Sequence, residues 1–138
     1  ATIDKFQHWS YTHKNDSVAE RNNYWLSLTE EFSSGQVDWT CLEMFKATQW
    51  QRQLHLYEVP FYYIEYGMAQ LGAVAMWRNY KKDSKKTIQQ YKNALSLGYT
   101  KSIGEIYEAA GIKFDFSNEY VQELSHFIYE ELQKTFKD

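Results

Sequence analysis

One proline and six glycines in 138 residues leave this chain with little turn chemistry. That scarcity excludes most β-rich folds, whose strands must be joined by frequent tight turns. Helical periodicity fills the chain instead. Ile3, Phe6, Gln7, Ser10 and Tyr11 share one helix face, with Thr2 or Asp4 as the cap. Asp16-Ser17 precedes a second helix, Val18 to Phe32, in which Tyr24, Leu28 and Phe32 form a stripe and Gly35 provides the stop. After an irregular stretch, Ser33 to Trp39, a helical segment runs from Leu42 to His55. Pro60 suits the first turn of a helix reaching Tyr80, where its missing N–H goes unneeded. With Ile64, Met68, Leu71 and Ala75 that helix has almost no polar face, and it reads as the central buried one. Asp83 or Ser84 caps a helix to Leu97, closed by Gly98. Thr100-Lys101-Ser102 opens a short helix ending at Gly111. A last helix begins near Ser117 and buries Leu124, Ile128 and Leu132, with Phe127 beside them. The expectation is an all-α bundle of about six helices in a single domain, 1–138, without an internal boundary.

Charge and composition narrow the function. A formal net charge of -3 gives no electrostatic case for nucleic acid, whose phosphates demand concentrated Lys and Arg. Lys81-Lys82 with Lys85-Lys86 is the one basic cluster, and it reads as the solvated end of one helix and the start of the next. No apolar run is long enough to span a membrane, and Ala1-Thr2-Ile3-Asp4 does not open a signal peptide. A single cysteine, Cys41, excludes an internal disulfide and a cysteine-cluster zinc site. It reads as a small buried residue, and cysteine usage points to the cytoplasm. Aromatic content, in contrast, is high at 18%. Tyr and Trp join a large apolar body to a polar tip, so this many of them suggest a wet cleft or a partner surface.

The informative segment runs from Gln51 to Ala73, QRQLHLYEVPFYYIEYGMAQLGA. It sets His55 just before the proline-initiated helix, whose opening turns carry Tyr62, Tyr63 and Tyr66. Tyr62 and Tyr66 are four apart and share a helix face. Phenols beside an imidazole can donate hydrogen bonds into a cleft and stabilise the oxygen anion that forms when water attacks a peptide carbonyl. The same pattern also fits core tyrosines with satisfied hydroxyls, and spacing alone leaves both readings open.

This segment resembles the substrate-binding region near the C-terminus of oligoendopeptidase F-like zinc metallopeptidases, of the thimet-oligopeptidase group. Asp4 to His13 (DKFQHWSYTH), Ala19 to Phe32 (AERNNYWLSLTEEF) and Val37 to Glu43 (VDWTCLE) resemble further family segments in the same order, and the similarity runs to about Trp77. The resemblance implies the helical part of a zincin-type, bilobed peptidase that admits short oligopeptides to a deep channel. It places substrate contact on His55, Tyr62 and Tyr66, with Tyr63 as a third tyrosine, and transition-state stabilisation on His55 and Tyr66.

The zinc motif is not in this sequence. HExxH holds two His ligands one helical turn apart, with the Glu as general base. His8 and His13 are five apart and turn to different helix faces. His126 stands alone on the terminal helix and reads as a surface or satisfied histidine. In the family, HExxH and the further Glu ligand lie upstream of the segment matching Ala1. The resemblance therefore implies the C-terminal part of the catalytic domain, with zinc in the full-length enzyme and none expected on this chain. The isolated chain is expected to be inactive, with the upstream peptidase segment as its missing partner. Two other readings follow from the residues. One is a non-catalytic helical interaction module that self-associates through its exposed cleft face. The other, a di-metal carboxylate bundle, fails because His55 and Glu58 run in the wrong order and the pair does not recur.

Overall fold

A computed structural model of the chain describes residues 1–136. Among them are eight α-helices, a short 3-10 turn and no strand, in agreement with the all-α expectation. The helices are α1 (Thr2–Thr12), α2 (Val18–Phe32), α3 (Glu43–Ala47), α4 (His55–Glu58), α5 (Ile64–Lys82), α6 (Ser84–Leu97), α7 (Ile103–Ala109) and α8 (Asn118–Thr135), with the 3-10 turn at Gln49–Arg52 between α3 and α4. None is long and apolar enough to cross a membrane. The chain divides into two compact units, Ala1–Gly67 and a second from Met68 onward, a division that periodicity does not announce.

The first unit packs α1 on α2 around an aromatic core. Phe6, Trp25, Leu28 and Trp50 are buried, and Ile3, Trp9, Tyr24 and Leu56 pack against them. Phe6 meets Trp25 edge-on at 5.2 Å between ring centroids, the arrangement that the ring quadrupoles favour. The buried stripe of α2 is thus Trp25 and Leu28. Phe32, expected to join it, is exposed at the helix end, with the Lys5 ammonium 5.5 Å from its ring centroid. Ser17 caps α2 through a full capping box with Glu20, whereas α1 starts at Ala1 with no side-chain cap from Thr2 or Asp4. The helix expected from Leu42 to His55 is replaced by α3, the 3-10 turn and the start of α4. Thr48 ends α3 with its hydroxyl on the Met44 carbonyl. The break lets Trp50 enter the core, where its indole N–H donates to Asn22 Oδ1 at 2.8 Å.

Cys41 is exposed, not buried. It lies in a turn closed by the Leu42 N–H on the Trp39 carbonyl and takes a φ of 64°, which carries it away from the packed helices.

In the second unit Val74, Ala75, Tyr120 and Leu124 form the buried cluster, with Leu71, Ile112, Phe127 and Ile128 against it. Gly72 lets Tyr107 of α7 lie close against α5: a Cβ there would lie 2.9 Å from Tyr107 Oη, whose hydroxyl donates to the Met68 carbonyl. Caps fall where the sequence places them, with Asp83 on α6, Ser102 on α7 in a capping box with Glu105, and Ser117 on α8. Gly98 ends α6 with a φ of 53°. Two expectations need correction. Helix α5 is not buried all round, because only Gly72, Val74 and Ala75 are fully enclosed while Ile64, Trp77 and Tyr80 are exposed. On α8, Leu124 and Ile128 face the cluster but Leu132 is exposed. Glu131 is enclosed beside it and pairs with Lys81 at 2.8 Å and Lys134 at 2.5 Å. An ion-paired carboxylate satisfies that last turn where apolar partners run out.

Candidate functional site

The site is built on a departure from helical geometry at Pro60–Tyr63. The sequence expects Pro60 to begin a helix, yet residues 60–63 form turns and α5 starts at Ile64. The reason sits at Phe61. Its φ is 58°, a left-handed conformation that non-glycine residues seldom adopt, and its N–H donates to Gln7 Oε1 at 2.9 Å. Gln7 is 1% exposed, and its amide N–H also donates to the Tyr11 hydroxyl at 3.1 Å. The Phe61 ring is held from α1 as well, 4.7 Å from His8 and edge-on to Tyr11 at 5.2 Å. A buried amide and two rings therefore fix a strained residue 54 positions away in sequence.

This turn aims three tyrosines at one imidazole. His55 opens α4 and is half-buried. Its ring stacks on Tyr62 at 5.5 Å and 25°, and meets Tyr63 and Tyr66 edge-on at 4.9 and 5.9 Å. Tyr66 Oη lies 3.3 Å from His55 Nε2, with the donor set by the histidine tautomer. The Tyr63 hydroxyl donates to Gln53 Oε1 at 3.1 Å. Leu54, His55, Glu58, Val59, Tyr62 and Tyr66 line a cavity of about 360 Å³. All four residues singled out in the sequence thus lie together, although only Tyr66 is on the helix that was expected to carry all three tyrosines.

Other histidines stay apart. His8 approaches Asp4 at 3.8 Å, His13 Nδ1 contacts the Trp9 carbonyl at 2.9 Å, and exposed His126 pairs with Glu130 at 3.3 Å. A larger concavity, about 990 Å³, lies along the end of α2 and the loop to α3. Its charges are engaged internally: Glu30 with Lys46, and Asp38 with the N–H and hydroxyl of Thr40. Nothing there concentrates free polar chemistry as His55 and its tyrosines do.

The sequence model of peptidase family M3 matches residues 1–126. The chain belongs to peptidase family M3. Its function by family is that of a metallopeptidase, and the match continues well past Trp77, through helices that carry no recognisable motif. No curated protein and no solved structure matches the chain.

Family M3 chemistry relies on zinc, and the donors that this M3 chain brings together among the described residues do not fit that ion. A catalytic zinc takes three protein ligands from His, Asp, Glu or Cys. Among the described residues no three such groups converge. The site offers one imidazole, three phenols and the carboxylate of Glu58, a set of hydrogen-bond donors and acceptors.

Three residues of this M3 site escape sequence reading. Gln7 carried a signal, as a polar residue inside the apolar stripe of α1. Gln53 carried none, because only the turn at Phe61 brings the Tyr63 hydroxyl to it, and Glu58 stood out in the sequence only as a rejected metal-ligand partner of His55.

Proposed function

We propose that this M3 chain forms the wall of an oligoendopeptidase F-type cleft that holds an oligopeptide backbone and steadies the tetrahedral intermediate, as the C-terminal part of the catalytic domain. The single observation carrying this reading is the approach of Tyr66 Oη to His55 Nε2 at 3.3 Å, within a ring of tyrosines bordering an open cavity. With Nε2 protonated, the imidazole donates to Tyr66 and leaves the phenolic proton free for the substrate oxygen. Tyr66 is then the oxyanion donor, and His55 orients it and contacts the backbone. Tyr62, stacked on His55, lines the path of the substrate. Tyr63, with its hydroxyl committed to Gln53, braces the set.

Zinc activates water and polarises the carbonyl in such a peptidase, and the described residues of this chain gather no ligand set for it. The chain alone, supplied with zinc, binds a short peptide and does not cleave a quenched fluorescent oligopeptide above background. Turnover with stoichiometric zinc overturns that statement. Unchanged peptide affinity in His55→Ala and Tyr66→Phe overturns the wall itself. In a full-length relative, the substitution matching Tyr66→Phe lowers kcat by about 10²–10³ with little change in KM, the signature of a lost oxyanion donor.

One observation favours the alternative, a non-catalytic helical interaction module. Trp77, Tyr80, Ile88 and Tyr91 are exposed along an apolar groove of about 410 Å³ between α5 and α6. Light scattering separates the readings: self-association with peptide binding indifferent to Tyr66 supports the module, and a monomer at high concentration counts against it.

A further inference from the structure

We infer that the cavity beside His55 selects peptides bearing a cationic side chain, arginine above all, and that Glu58 is the selecting group. This rests on the cleft-wall reading and adds a specificity that the reading does not contain.

The cavity has two kinds of wall. Leu54 and Val59 present exposed apolar surface, suited to the methylene stem of a long basic side chain. His55, Tyr62 and Tyr66 present rings. Tyr62 lies nearly parallel to His55, and Tyr66 stands at 79° to Tyr62 and 76° to His55. Ring faces therefore point in two perpendicular directions around the same space. The face of an aromatic ring attracts a cation.

The only carboxylate lining the cavity is Glu58, and no Lys or Arg lines it. Glu58 ends α4 three residues after His55, so the two side chains share a helix face. Glu58, like several other glutamates, forms no ion pair among the described residues, and of these it is the one that lines the cavity beside His55. A carboxylate that lines one cavity with aromatic rings and an apolar wall suits a guanidinium. The planar fork of arginine donates to both carboxylate oxygens and stacks on a ring, which a lysine ammonium does only in part. Peptide backbone held at His55 and Tyr66 thus delivers an adjacent side chain to Glu58.

The test uses the isolated chain and a matched set of pentapeptides differing at one position: arginine, its neutral isostere citrulline, norleucine or glutamate. Binding is followed by calorimetry, and melting curves confirm that each variant folds. Wild type binds the arginine peptide about tenfold more tightly than the citrulline peptide, a ratio that shrinks with added salt. Glu58→Gln brings that ratio close to one, and Glu58→Arg turns the preference toward the glutamate peptide. Equal affinity for arginine and citrulline in wild type, or a preference that survives Glu58→Gln, overturns the inference. Should binding depend on His55 and Tyr66 yet ignore the arginine charge, the selectivity falls and the cleft wall stands. Should no peptide bind, both fall.

Discussion

Phe6 and Leu124 are both fully enclosed, and they sit in cores of different character. Around Phe6 the first unit gathers indole and phenol rings, Trp25, Trp50, Trp9 and Tyr24. Around Leu124 the second unit gathers a valine, an alanine and one tyrosine. Large flat rings pack at set angles and leave polar tips that seek partners. Small side chains pack by proximity alone. The first arrangement supports a strained turn and a hydrogen-bonded site; the second supports a plain helical assembly stabilised by caps and ion pairs. The candidate site sits where the packing is directional.

The largest expected effect tests that contrast directly. Phe6→Ala lowers stability by about 3–5 kcal/mol and removes peptide binding, because the cavity it leaves undercuts α1 where Gln7 holds Phe61. Leu124→Ala lowers stability by about 2–5 kcal/mol, and peptide affinity measured where the variant remains folded stays at the wild-type value. Urea melts and calorimetry on the two variants decide this, and a comparable loss of affinity in both removes the contrast.

A smaller effect sharpens it. Gln7→Leu replaces the buried amide with an apolar side chain of similar size and leaves the Phe61 N–H without its acceptor. The expected loss is about 1–3 kcal/mol. The diagnostic readout is local: amide exchange at Phe61 accelerates, and peptide affinity falls further than in a core variant of equal stability. Gln7→Glu retains an acceptor oxygen and restores slow exchange in part.

The smallest effect belongs to the second unit and depends on pH. A hydrogen bond from Lys134, and then one from Lys81, holds the Glu131 carboxyl below its ordinary range. A folded-state pKa below the unfolded value stabilises above the unfolded pKa, and that stabilisation is lost as pH falls through the folded value. Near neutral pH, Glu131→Gln is therefore less stable than wild type in urea. The two curves converge as the pH drops below about 4, the ordinary carboxylate range. A difference that persists at low pH assigns the effect to packing instead.

Much of this was legible before any tertiary contact was known. Ser17, Asp83, Ser102 and Ser117 announce helix starts because a capping oxygen acts within three residues of itself. His55, Tyr62, Tyr63 and Tyr66 could be gathered into one candidate site because they lie within a dozen positions. Misreadings arose wherever distant partners overrode local pattern. Helix 42–55 broke because Trp50 is drawn into the core against Asn22. Leu132 yielded its place to Glu131 because two lysines were at hand. Helix α5 looked buried because its composition is apolar, yet composition does not say how much partner surface exists to cover it.

The sequence by itself determined the helical class, most of the helix starts, membership of the right peptidase family and which side chains to look for together in the candidate site. These follow from periodicity, capping and motif, all of which act over a few neighbouring residues. Only the tertiary structure decided the geometry of that set. Gln7, buried on α1, takes the Phe61 amide and holds it left-handed, so that Tyr62 and Tyr63 leave the expected helix and close around His55. A hydrogen bond between residues 54 positions apart has no local signature, and it is the bond that turns a tyrosine-rich helix start into a site.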